Sequence, residues 1–167
     1  MKNILKTFDR KINDIGKKFV ARFREELKQQ DHIATGNLSD TMHYNLVEGD
    51  DYVDLVVQTR AKYVDAVNDG QKAGTYPNLD AIMDWMDAKK IPYGSQSEKV
   101  SIAGRIAKRI QMEGSPTKGA KQFSFNGFRT GFINRVVGSS ERHFINDMHN
   151  AIGKDIDNIF KQLPKRI

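Results

Sequence analysis

Three aspartates, Asp80, Asp84 and Asp87, surround the sole tryptophan, Trp85, at spacings of four and three. On a helix this spacing sets the carboxylates on one face, where they can hold a divalent cation or share acid–base work. That face lies opposite the apolar stripe of its segment, where solvated charge is the ordinary occupant, and Asp80 also suits a helix N-terminus. A second candidate is Gly114-Ser-Pro-Thr-Lys-Gly119-Ala-Lys121. A phosphate-binding loop needs Lys directly after the second Gly and then Ser or Thr for magnesium. Here Ala120 separates the second Gly from Lys121 and Gln122 follows the lysine, and the loop comes after a helix and not after a strand, so a helix stop is the better reading. The histidines His32, His43, His143 and His149 form neither an i, i+4 pair nor an HExxH pattern. No serine sits in a G-x-S-x-G elbow. Cysteine is absent, which removes disulfides, thiolate metal sites and cysteine nucleophiles together. The expectation is a protein that is not an enzyme, with no catalytic, cofactor-binding or metal-binding residues.

What remains is suited to binding. Phe123, Phe125 and Phe128 alternate with Ser, Asn and Gly, and Lys118, Lys121 and Arg129 lie among them. Such an arm suits either a segment that orders on a neighbouring subunit or, as a rival, base stacking on single-stranded nucleic acid by the stretch Lys121 to Arg135. Trp85 suits an anchor in a partner's pocket and equally a cap on its own core. The formal charge of +6 lowers the cost of lying near a polyanion, but no basic run is dense enough to be a binding tail. No apolar run reaches the roughly 20 residues that cross a bilayer, so no membrane is expected. Met1-Lys2-Asn3-Ile4-Leu5-Lys6 turns charged at once, which does not suit a secretory leader.

These side chains need elements to position them, and 167 residues suit one main core. Leu5, Phe8, Ile12, Ile15, Phe19, Phe23 and Leu27 recur at spacings of three and four, which predicts a helix over Asn3–Gln29. After Thr35-Gly36-Asn37 the period becomes two. Met42, Tyr44 and Leu46, then Val53, Leu55 and Val57, predict a hairpin around Glu48-Gly49-Asp50-Asp51. A short helix follows over Tyr63–Asn68, ended by Gly70. Asn78 is a candidate N-cap for a helix over Leu79–Lys89. Ser95 and Glu98 have capping-box spacing ahead of the stripe Val100, Ala103, Ile106, Ala107 and Ile110, which Gly114 and Pro116 close. Residues Gly119–Gly138 suggest an arm, with Phe132, Ile133, Val136 and Val137 as a third strand. From Ser140 a helical period returns over Phe144, Ile145, Met148, Ile152, Ile156, Ile159, Phe160 and Leu163, stopped by Pro164. The sum is an α+β fold: a small antiparallel sheet packed against long N- and C-terminal helices. A helical pair (about 77–114) is inserted between strands, followed by an extended aromatic arm (about 115–138). All of it forms a single domain over 1–167.

In this order the motifs resemble the tail-completion, or neck, proteins of long-tailed bacteriophages. The residues that carry the resemblance are Thr35-Gly36-Asn37-Leu38-Ser39 after a long helix, Tyr63-Val-Asp-Ala-Val-Asn-Asp-Gly70, Pro77 with Ile82, and Trp85-Met86-Asp87-Ala88-Lys89-Lys90-Ile91. Ile102-Ala103, Ile106-Ala107, Ile110, Glu113-Gly114, Pro116-Thr117 and Phe123 complete it. The family pattern often has Gly after the lysines, where this chain has Lys90-Ile91. The resemblance implies a structural virion protein, monomeric when free, that joins a six-fold ring between the head connector and the tail tube. Its partners would be copies of itself, the portal-side connector proteins, and the tail tube or terminator protein, with DNA close by in the lumen. It would reside in the virion neck, and in the host cytoplasm during assembly. A head-closure or tail-terminator subunit is the alternative within the same particle. The assembly-interface candidates are Tyr76, Trp85, Lys118, Lys121, Phe123, Phe125, Phe128 and Arg129.

Overall fold

The computed structural model describes residues 6–162. Asn3 and Leu5 at the expected start of the first helix, and Leu163 and Pro164 at the expected end of the last, therefore lie outside the described residues. The order is α1 (Lys6–Gln29), α2 (Asn37–Asp40), β1 (His43–Glu48), β2 (Val53–Gln58), α3 (Val64–Asp69), α4 (Leu79–Ala88), α5 (Gln96–Glu113) and α6 (Phe132–Gln162). The fold is α+β, with long helices at both ends, as the periodicities predict.

The two long helices pair antiparallel. Phe23 meets Phe132 edge to face with centroids 6.0 Å apart, and Phe19 meets Phe144 likewise at 6.3 Å. Arg22 donates to Ser140 Oγ, Lys11 pairs with Asp147 at 2.9 Å, and the backbone amides of Thr7 and Phe8 donate to Asp155. The hairpin packs on α1 beside α6, and Leu46 and Leu55 share one apolar cluster with Ile12 and Ile15 of α1 and Phe144 and Met148 of α6. Tyr44 lies over Gly16 and its hydroxyl donates to Asn13. A Cβ on Gly16 would enter the Tyr44 ring, so this glycine permits the close approach of helix and sheet. Leu46 pairs with Leu55 and Tyr44 with Val57, which keeps one face of the hairpin on α1.

Two expectations need correction. Phe132, Ile133, Val136 and Val137 form no third strand: they are the first turns of α6, and the sheet has two strands, both preceding the helical pair. Phe132 and Val136, four apart on one helix face, both enter the core that holds Phe23 and Leu27. That burial overrides the β-preference of the four side chains. Residues 115–131 are likewise not an extended arm. They fold back as a loop with one 3₁₀ turn, Ala120–Phe123, bonded to the end of α1.

The helical pair has its own core of Ile82, Met86, Ala103 and Ala107, where two alanines let α4 and α5 approach closely. Asn78 Oδ1 accepts from the amides of Asp80 and Ala81, as an N-cap should. Ser95 Oγ accepts from Glu98 N, while the Glu98 carboxylate accepts from Gly94 N and not from Ser95. Val100, expected inside, is exposed. Lys99 takes the inner position at 7% exposure, with Nζ 2.6 Å from Asp87 Oδ2 and over the Tyr93 ring.

Candidate assembly surface

The end of α1 organises the region around Trp85. Asp31 follows the helix with φ 54°, and the amides of Asp31 and His32 donate to Lys28 O and Leu27 O. This is a Schellman closure with aspartate in the left-handed position that short polar side chains tolerate. It turns the Asp31 side chain toward α4, where Lys89 Nζ meets it at 2.5 Å. Arg129 Nη1 donates to Gln30 O at 2.7 Å and lies 3.4 Å from Asp31 Oδ2. His32 Nε2 stands 3.0 Å from Arg129 O, and a carbonyl only accepts, so Nε2 carries the hydrogen. Burial, with the positive charges of Arg129 and Lys89, holds His32 below the ordinary imidazole value despite that hydrogen bond and Asp31.

Between this strap and the helical pair lies an open groove of about 430 Å³. Leu27, Ile33, Leu38, Tyr63, Val67, Ala81 and Trp85 give it an apolar lining, and Asp84 stands at its side. Trp85 is 39% exposed, so the indole neither caps the core completely nor projects freely. An isolated antiparallel bridge, Gln71 with Ser115, ties the end of α3 to the end of α5.

The aromatic loop is held from below and bare on top. Phe125 N donates to Gln29 O at 2.8 Å, and Glu26 Oε1 accepts from Gln30, Asn126 and Arg135. Burial alone would raise the Glu26 carboxyl; the donors Gln30, Arg135 and Asn126 outweigh it and hold the carboxyl below its ordinary value. Above this base Phe125 is 80% exposed, and Phe123 is also mostly in water. Phe128 is half-exposed, with the Arg135 guanidinium 3.7 Å from its ring centroid.

The expected interface residues thus separate. Trp85 and Arg129 line the groove; Lys118, Lys121, Phe123 and Phe125 are exposed on the loop. Tyr76 is exposed in the segment before α4 and does not line the groove. Arg129 is a strap and not a free contact, since its guanidinium is committed to the end of α1. With Arg129 and Arg135 both engaged, Lys121 is the member of the Lys121 to Arg135 cations left for a nucleic-acid backbone among the described residues. The carboxylate stripe also divides. Asp87 is bound by Lys99 and by the Tyr93 hydroxyl, which lower its pKa, while Asp80 and Asp84 make no ion pair among the described residues. No group of three or more His, Asp or Glu among the described residues could hold a metal ion. Ile33, Tyr63, Val67 and Ala81 carry no sequence signal as site residues, because the groove is assembled from four separate segments.

Comparison with protein-family models, with curated proteins and with solved structures gives no match for this chain. Among the described residues no helix is long and apolar enough to cross a membrane.

Proposed function

We propose that this chain is a structural subunit of a phage neck, which assembles into a ring joining the head connector to the tail tube. The observation that carries the reading is the order of its elements. A long helix, a hairpin, a capped helical pair and a closing helix follow one another as the resemblance implies. Lys90 sits at φ 54° in the Schellman closure of α4, with its amide on Asp87 O and that of Ile91 on Met86 O, a position that glycine commonly serves. The family pattern often has Gly after the lysines, and with Lys90-Ile91 the chain departs from it there. The work of such a subunit is binding, and the groove beside Trp85 and the loop at Phe125 are the surfaces that offer it.

The test is location and loss. Purified particles of the phage encoding the chain should contain it at the head–tail junction, by electron microscopy of a tagged copy. Deleting its gene should leave filled heads and free tails. Joined, infectious particles from the deletion would refute the reading.

A further inference from the structure

We propose that the aromatic loop of one copy docks into the Trp85 groove of a second copy, with Phe125 as the anchor. The identity of the occupant as a second copy rests on the ring-forming reading above. The two surfaces are complementary in two independent ways. The first is apolar: a rigidly based phenyl ring stands 80% exposed, and the same chain presents an open apolar groove of about 430 Å³. Aromatic anchors entering such pockets are the usual centres of interfaces. The second is charge. Lys118 and Lys121 are exposed beside Phe123 and Phe125 and make no ion pair among the described residues. Asp84 at the groove, and Asp80 next to its lining residue Ala81, are exposed and make none either.

The loop does not serve its own groove. Arg129, four residues on, lines it, whereas Phe125 does not. The hydrogen bonds of Phe125 N and Asn126 to α1 hold the loop in place before any partner arrives. That pre-ordering lowers the entropic cost of docking. A projecting group and a complementary pocket on one molecule are also what head-to-tail rings are made from.

The chain reports on this contact by itself, because Trp85 is its sole tryptophan and lines the groove. Raising the protein concentration into the millimolar range should shift Trp85 emission to shorter wavelength, in step with a rise in mass by sedimentation. Phe125→Asp should weaken the association about thirtyfold, the size of a hot-spot truncation. Ala81→Arg, which fills the groove with a cation, should do the same. Mixing the two variants should restore pairing, since one keeps the loop and the other keeps the groove. A wild-type chain that stays monomeric with constant Trp85 emission overturns the proposal and leaves the groove to a partner of other sequence. Association unaffected by both variants, or no rescue on mixing, overturns it equally. Absence of the chain from particles would remove the neck reading while leaving these solution results standing.

Discussion

Two glycines precede the strands of the bridge that ties the end of α3 to the end of α5, and alanine at one of them should open that bridge. Gly70 has φ 79° and ψ −176°, and Gly114 has φ 83° and ψ −177°. Both lie in a backbone region that is essentially closed to side chains and costs about 1–3 kcal/mol when forced. A Cβ on Gly114 would also stand 2.5 Å from Gln71 O, a backbone atom with no side-chain freedom to yield. Gln71 N and Ser115 O, 2.6 Å apart, and Ser115 N and Gln71 O, 2.7 Å apart, would then separate. Losing two such hydrogen bonds adds about 0.5–1.5 kcal/mol each, so Gly114→Ala should cost about 2–6 kcal/mol in all. The matched control is Gly104→Ala, in the middle of α5 with open space around it and no left-handed φ. There the same change should stabilise by about 0.5–1 kcal/mol, because alanine loses less conformational entropy on folding than glycine. Urea denaturation followed by circular dichroism gives both numbers. Amide exchange should show faster exchange at Gln71, Gly74 and Ser115 in Gly114→Ala first. Equal effects of the two substitutions, or a cost below about 1 kcal/mol at Gly114, would refute the strain and clash assigned to that position.

Three further outcomes are expected. Phe132 is 1% exposed against Phe23, so Phe132→Ala should cost about 3–5 kcal/mol in chemical denaturation; a change within experimental error would mean that α6 does not begin there. Lys90→Gly should raise stability by about 1 kcal/mol by relieving the left-handed C-terminus of α4, and a lower thermal midpoint would contradict it. Glu26 has a folded pKa below its ordinary value of 4.5, so its anchoring of the loop is full above that value and is lost as pH falls through the lowered one. NMR shifts of the Phe128 ring should follow that loss in the wild type and not in Glu26→Gln; the same acid response in both would exclude Glu26 as the anchor.

Where a structural feature depends on neighbours within one or two turns, the amino-acid order was enough. Asn78 and Ser95 announce the starts of α4 and α5 because a cap acts on amides two or three residues away. The stripe of α1 and the alternation of Tyr44 and Leu46 declare a buried face for the same local reason. Phe132 to Val137 read as a strand because their types are ambiguous over so short a run, and only the core around Phe23 and Leu27 resolves it. Gly16 looks like a weak point in a helix until Tyr44, far along the chain, is laid over it. Phe123, Phe125 and Trp85 were legible as candidate binding residues from type alone. Their setting was not: Ile33, Tyr63, Val67 and Ala81 come together as a groove only when α1, α3 and α4 are packed, and Arg129 becomes a strap only once Asp31 and Gln30 are beside it. Periodicity reports which face of a segment is buried; it carries no information on which distant segment covers that face, and that pairing is what makes the candidate surface.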